Sequence, residues 1–294
     1  MPATSNSRTL LLQSYDALWL LENFALAHNK QVVMMEIRGA MRKPLVTFLS
    51  RLYDFWSPHI DRSEYLFYHR LILSAAGKGG RALELFCGSG RLLLPFVKEG
   101  LKVSGIESSK ELVTMLVQKA AEEKLTVDVT QMALEEIEIK GTYNLIYASL
   151  GSFQMITDYE SATRLIEKLY ACLEDQGVLS VALFLPWTGS NFATENWVIA
   201  SDLKDARTKN RYVRREKSSH DEVNQLITGK VRYETWLGKD LLEMSEKDLA
   251  VRWYSQFEFR SLLAQAGFKN IELVRSYEEG GAYKESFMLF LARK

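Results

Sequence analysis

The segment LELFCGSGRLLLPFVKEGLKVSGIE, residues 83–107, constrains this chain more than any other stretch. A short apolar run, Ala82 to Phe86, leads into a glycine turn, Gly88-Ser89-Gly90. The spacing predicts a helix opening at about Arg91 and a second strand, Val103 to Ile106, that ends on the acid Glu107. Glycine lets the backbone approach a ligand closely, and a helix N-terminus offers N–H groups and a positive dipole end. Glu107 stands 19 positions after Gly88, where the second strand of a doubly wound sheet brings a carboxylate to ribose hydroxyls. Together these are the parts of a nucleotide-type cofactor site.

The sign of the local charge narrows the cofactor. A dinucleotide fingerprint would place a third glycine at position 93, which is Leu93, and Leu92, Leu93 and Leu94 instead specify a packed helix. Glu84 precedes the turn, so a carboxylate faces it. A buried acid repels a pyrophosphate but attracts an amino group and a sulfonium. That argument favours S-adenosylmethionine (SAM) over NAD or FAD. The stretch resembles motif I of class I SAM-dependent methyltransferases, (D/E)-x-G-x-G-x-G, with Phe86 standing where the first glycine is usual.

Composition excludes several other classes. Hydrophobic content of 47% and charged content of 25% fit a soluble globular protein. The formal net charge is zero, so no global field draws nucleic acid or an anionic membrane. Cys87 and Cys172 suit a reducing compartment better than a disulfide framework, which gives a cytoplasmic expectation. No apolar run approaches the roughly 20 residues that span a bilayer. The stretch Leu10 to Leu26 is broken by Asp16 and Glu22 and lacks a basic start, so it does not read as a signal peptide.

From about Arg81 to Pro186 strand and helix patterns alternate, which implies parallel β-α-β units. Strands are expected at 81–86, 102–106, about 126–130, 143–148 and 178–185, with helices at 91–99, 109–122 and around Leu165 to Leu173, the last closed by Gly177. Residues 195–254 then alternate polar and apolar, with turn signals at Asn224 and Gly238-Lys-Asp240, and read as an inserted antiparallel meander. A helix at 255–266, a strand at 269–276 and a strand at 286–292 complete the chain.

The resemblance now becomes closer. Leu52-Tyr53-Asp54, Tyr65 to Tyr68, the glycine turn, Tyr143-Asn144-Leu145-Ile146 and Ala266-Gly267-Phe268 look like class I enzymes with a small antiparallel lid, similar to glycine and amino-sugar N-methyltransferases. This implies an α/β fold with a doubly wound, mostly parallel seven-stranded sheet, a small antiparallel lid and N-terminal helices. It places a methyltransferase domain at 51–294 with the lid at about 190–254, behind a helical extension at 1–50 of open role. The implied activity is transfer of a methyl group from SAM to a nitrogen or oxygen of a small-molecule acceptor by in-line displacement. The implied cofactor set is Glu84, Phe86, Gly88, Gly90, Glu107, Ser108, Gln131, Met132 and Leu150. Gln131 stands where the group usually has an acid for the adenine amino group, and Gly151-Ser152-Phe153 stands where Asn-Ser-Phe is frequent. The N-terminal helices would cover the methyl group, which makes Tyr53, Tyr68 and His59 the candidates for a catalytic role. Ser152, Arg214, Trp236 and Tyr254 are the candidates for acceptor binding.

The four histidines are scattered and no metal-ligand spacing occurs, so no metal is expected. Arg207 to Lys217 holds six cations in eleven residues, but alternation on a strand and the nearby Glu216, Asp221 and Glu222 suit a solvated lid face better than a nucleic-acid stripe. Arg214 or Arg215 could still meet a carboxylate or phosphate on an acceptor. Ala148-Ser149-Leu150-Gly151 lacks the prolines of amino-methylating DNA enzymes. An RNA or protein substrate, and a non-catalytic SAM-fold regulatory protein, stay open as alternatives, as do monomer and homodimer.

Overall fold

The computed structural model describes residues 62–133, 136, 138–185, 195–277 and 287–294. The expected N-terminal extension, with Tyr53 and His59, lies outside the described residues. The chain there enters as α1 (Arg62–Ala76) and then alternates β1 (Arg81–Leu85), α2 (Leu93–Lys98), β2 (Lys102–Glu107), α3 (Lys110–Glu122), β3 (Asp128–Gln131), β4 (Tyr143–Ala148), a 3-10 turn at Ser152–Met155, α4 (Tyr159–Ala171) and β5 (Leu173–Phe184). An antiparallel meander follows: β6 (Val198–Lys204), β7 (Arg211–Asp221), β8 (Leu226–Leu237) and β9 (Asp240–Arg252). The chain then closes with α5 (Gln256–Gln265), β10 (Lys269–Val274) and β11 (Phe287–Arg293).

Two sheets result. The larger has seven strands in the order β10-β11-β5-β4-β1-β2-β3, the smaller four in the order β6-β7-β8-β9. β3, β2, β1, β4 and β5 run parallel, while β11 is antiparallel to both β5 and β10. Local chemistry starts the helices: Ser109 and Asp158 accept backbone N–H groups at the heads of α3 and α4, and Ser255 with Glu258 forms a capping box on α5.

Alternation along β1 and β4 sorts the core into two layers. Leu83, Leu85, Ile146 and Ala148 face a cluster built on α4 and α5, with Leu165, Ile166, Leu169, Phe259 and Leu263. Ala82, Leu145 and Tyr147 face the opposite cluster, where Tyr68 and Ile72 of α1 meet Leu93 and Phe96 of α2 and Leu116 of α3. Glu84 lies on this second side by alternation, underneath α1.

One expectation fails locally. Gly177 does not close α4, which ends at Ala171; it lies inside β5. Leu173 already pairs with Tyr143, the register then shifts, and pairing resumes at Val178 opposite Leu145. The intervening residues bulge, with Gln176 at φ 64° and a Cβ at Gly177 coming within 2.7 Å of the Glu174 carbonyl oxygen. Glycine was therefore a bulge signal and not a helix stop. Cys172, expected in a buried helix, is half-buried just past the end of α4.

A buried amide ties the meander to the large sheet. Gln154, fully buried in the 3-10 turn after β4, donates from Nε2 to the carbonyl oxygens of Phe184 and Arg252, both at 3.1 Å, and accepts from the Phe184 N–H. Phe184 ends β5 and Arg252 ends β9, so both crossings of the meander are held by this side chain. Leaving buried backbone groups without such a partner costs about 1–3 kcal/mol each. Gln154→Leu is expected to lower the unfolding free energy by about 2–4 kcal/mol in urea denaturation, more than a neutral isosteric change at an exposed site would.

Candidate cofactor and methyl-transfer site

The glycine turn is held by the acid that follows it. Glu107, 1% exposed at the end of β2, accepts the Gly88 N–H on Oε2 at 3.0 Å and the Ser109 N–H on Oε1 at 2.9 Å. The Ser108 hydroxyl approaches Oε1 at 3.4 Å. Burial holds the Glu107 carboxyl above its ordinary value, and the N–H groups of Ser109 and Gly88 counter that only in part. A carboxylate has about four acceptor positions, so capacity remains for hydroxyl donors from a ligand.

The turn itself runs through the left-handed region. Phe86 (φ 56°), Gly88 (φ 55°) and Gly90 (φ 85°) all have positive φ. A Cβ at Gly90 would come within 2.8 Å of Leu94 Cγ and 3.0 Å of Leu116 Cγ, so packing and backbone both demand glycine there. Phe86 takes the same conformation without that freedom, which costs on the order of 1 kcal/mol. The residue standing at the usual first glycine thus adopts the glycine-like backbone, and its ring is buried in the core on the α4 side.

Behind the turn lies a buried charge network. Glu84, 2% exposed, accepts one hydrogen bond from the Tyr147 hydroxyl at 3.2 Å, its cross-strand neighbour on β4. Burial pushes its carboxyl up to about 8, against the pull of Arg91 and the Tyr147 hydroxyl. Arg91, directly after the turn, is gripped by Glu64 of α1 in a two-pronged pair at 2.6 and 3.0 Å. Both side chains are almost wholly buried, at 9% and 2% exposure. Tyr68 of α1 stacks on Tyr147 with ring centroids 4.8 Å apart. Burial pushes both phenols and the Cys87 thiol up, so none of the three ionises near neutrality.

The other expected cofactor residues fall on the same rim. Gln131 ends β3 opposite Glu107, and its amide donates to the Ser108 carbonyl oxygen at 3.5 Å. The Met132 N–H donates to the Glu107 carbonyl oxygen at 3.0 Å, and its side chain packs on the apolar core. Leu150 (φ 49°) and Gly151 (φ 69°) turn the chain sharply after β4. Glu84, Phe86, Gly88, Gly90, Glu107, Ser108, Gln131, Met132 and Leu150 therefore gather at the carboxyl ends of β1 to β4, the crevice where open α/β sheets hold ligands.

The acceptor candidates are more dispersed. Ser152 is fully buried beside that rim, and its hydroxyl donates to the Ser149 carbonyl oxygen. Tyr254 is fully buried between Phe153 and Phe259 in the main core. Arg214 and Trp236 sit on opposite faces of the meander, since Trp236 donates to Glu234, which also takes Arg215. Sequence reasoning missed Glu64, Arg91 and Tyr147. Only the register that sets Tyr147 beside Glu84, and the packing of α1, bring them in; Arg91 alone carried a signal, as the first residue after the glycines. Among the described residues no cluster of His, Cys, Asp and Glu is arranged to hold a metal, and no helix is long and apolar enough to cross a membrane.

The donor set fits SAM. The buried Glu84 carboxyl takes its hydrogen bond from a neutral hydroxyl and is offset only in part by Arg91, which is paired with Glu64, and the second acid has acceptor positions left for hydroxyls. Comparison with known proteins agrees. A family profile described as a methyltransferase domain matches residues 82–177. A curated protein of Geobacillus sp. (strain WCH70) named as a methyltransferase is 22% identical over 129 residues, 43% of this chain, and the chain spans only 49% of that relative's length. Among solved structures, a SAM-dependent methyltransferase from Clostridium acetobutylicum ATCC 824 superposes with a TM-score of 0.69 at 15% identity, over 84% of this chain and 98% of that one. The sugar N-methyltransferase KedS8 from Streptoalloteichus sp ATCC 53650 gives 0.63 at 16% identity, over 90% and 98%. At such identities the superpositions speak for the fold, and the profile speaks for the domain that carries the glycine turn. The chain thus carries a methyltransferase domain at residues 82–177, set in a sheet whose strand order and fold are those of the class I SAM-dependent methyltransferases.

Proposed function

We propose that this protein transfers the methyl group of SAM to a nitrogen of a small-molecule acceptor. The observation that carries the reading is Glu84, a buried carboxyl near the end of β1, four residues before Gly88, that burial pushes up to about 8 despite Arg91 and the Tyr147 hydroxyl. When bound, SAM supplies a methyl group already activated on a sulfonium. Glu107 would hold the ribose hydroxyls, with its carboxylate pre-oriented by the Gly88 and Ser109 N–H groups. Glu84 would hold the cationic end, and the half-buried Met132 would face the adenine. The chain's remaining work is to align the acceptor and exclude water, and positioning of this kind contributes roughly 7–11 kcal/mol to a bimolecular step.

A nitrogen acceptor is supported by the groups that the described residues bring to the rim. Among those residues, beside the paired Glu64 and Arg91, the titratable groups not already given to the cofactor are Tyr68, Tyr147 and Cys87, all held protonated by burial. A neutral amine needs no general base to attack, whereas a hydroxyl does. KedS8, similar in fold, is itself described as a sugar N-methyltransferase. The cation-rich run on β7 supports a small acceptor over nucleic acid, because three of its arginines face acids within the chain: Arg211 meets Asp202, Arg214 meets Glu216 and Arg215 meets Glu234.

Calorimetry with SAM and S-adenosylhomocysteine, followed by a screen of small amines for methyl transfer, tests the reading; absence of SAM binding would overturn it. Glu107→Ala is expected to weaken SAM binding about tenfold or more, from the loss of charge-assisted hydrogen bonds worth about 1.5–3 kcal/mol. Undiminished affinity in that variant would remove Glu107 from the site.

Glu84→Gln separates stability from binding. With the folded-state value near 8 and an ordinary value of 4.5, the folded protein keeps a proton that the unfolded chain has released. Stability therefore falls as pH rises from about 4.5 to about 8, and the full burial penalty is present above that window. Removing the charge is expected to raise the ligand-free melting temperature relative to the parent at pH 8, by at most a few kcal/mol in free energy, with the gain fading towards pH 5. The same variant is expected to bind SAM about tenfold more weakly or worse, having lost a charge partner. A variant that is neither more stable at pH 8 nor weaker for SAM contradicts the role given to Glu84.

A further inference from the structure

We infer that the acceptor carries an anionic oxygen group, a carboxylate or a phosphate, received by Arg214 on the inner face of the meander. The inference rests on the methyl-transfer reading and names the substrate class of that same site. Alternation divides β7 to β9 into two faces. Tyr212, Arg214 and Glu216 share one face with Tyr233 and Thr235, since Arg214 pairs with Tyr233 and Tyr212 with Thr235. Ile227, Val231, Leu249 and Val251 extend this face as an apolar cluster, and Phe184 at the end of β5 packs against it. Because β5 runs parallel to β4 and β1, Phe184 stands at the same end of the large sheet as the glycine turn, and this face packs against it there.

On that face one cation is under-used. The Arg214 side chain is 1% exposed. One of its NH2 groups donates to Glu216 at 3.0 Å, and its Nε is buried with no hydrogen-bond partner. The Thr235 hydroxyl, diagonal to it on β8, is likewise buried and unpartnered. A desolvated guanidinium is stabilised by filling its fork, and the fork matches carboxylate or phosphate oxygens in pairs. Thr235 adds a hydroxyl donor to the same oxygens. Lys247 of β9 stands on this face opposite Val231, and Glu243 stands opposite Thr235, so the face holds charges of both signs and Arg214 is its deepest cation. Arg215, equivalent in sequence, points to the other face and is taken by Glu234 at 3.1 Å.

The test is calorimetric titration of the full-length protein with inorganic phosphate, pyrophosphate and acetate, with and without S-adenosylhomocysteine. At least one probe is expected to bind the parent protein, about tenfold or more weaker in Arg214→Gln, less affected in Arg214→Lys and unchanged in Arg215→Gln. Preference for the phosphates or for acetate tells which anion the acceptor bears. Thr235→Val, which removes one hydroxyl and keeps the shape, is expected to cost about two- to fivefold and carries the test with Arg214→Lys if Arg214→Gln does not fold. Failure of every probe to bind the parent, or equal binding by Arg214→Gln and Thr235→Val, overturns the inference. SAM titration of the same preparations reads the other proposal independently. SAM binding without anion binding overturns only the Arg214 site; anion binding without SAM binding upholds that site and overturns the methyl-transfer reading.

Discussion

The Glu107 carboxylate, closed on the N–H groups of Gly88 and Ser109, is the contact on which the site depends. It links the turn after β1 to the first residues after β2, two segments that chain connectivity alone leaves independent. Three positive-φ residues in the turn need such an anchor, because left-handed backbone persists only where its surroundings over-determine it. The same carboxylate then presents its remaining acceptor positions to a ligand. In the proposed scheme structural and binding roles fall on one side chain, whose burial cost the backbone donors offset only in part.

A second level of organisation is electrostatic. Glu64, Arg91 and Glu84 place two acids and one base in a layer covered by α1, beside the hydroxyls of Tyr147 and Tyr68. Arg91 is satisfied by Glu64, so it moderates the Glu84 charge without neutralising it. Breaking such a buried pair by removing one partner leaves an uncompensated charge. α1 thus shapes the surroundings of Glu84 through Glu64 and Tyr68, and in the proposed scheme its packing on β1 and β4 sets the charge balance that a cationic ligand would complete.

The parallel strands and the helices between them were legible because apolar periodicity reports burial directly: β4 falls on the residues expected, and β1, β2 and α3 within a residue or two at each end. Gly177 misled because a glycine after an amphipathic helix and a glycine at a bulge look alike until the partner strand is known. Tyr147 and Glu64 were invisible for the same reason, since each acts through a neighbour distant in sequence. Trp236 and Arg214 looked equivalent as lid residues, and only the register of β7 on β8 separates them by face.

By itself the sequence determined the local chemistry: which residues can turn at Gly88 and Gly90, where carboxylates stand relative to that turn, and which segments alternate with a period of two or repeat as helices. These follow from backbone sterics and side-chain type, which act over a few residues. Only the tertiary structure decided the charge state of Glu84, the pairing of Arg91 with Glu64, the clamp that Gln154 places on both ends of the meander, and the face to which Arg214 belongs. Each depends on desolvation or on contacts between strands and helices far apart in the chain, and burial exists only once those elements have packed.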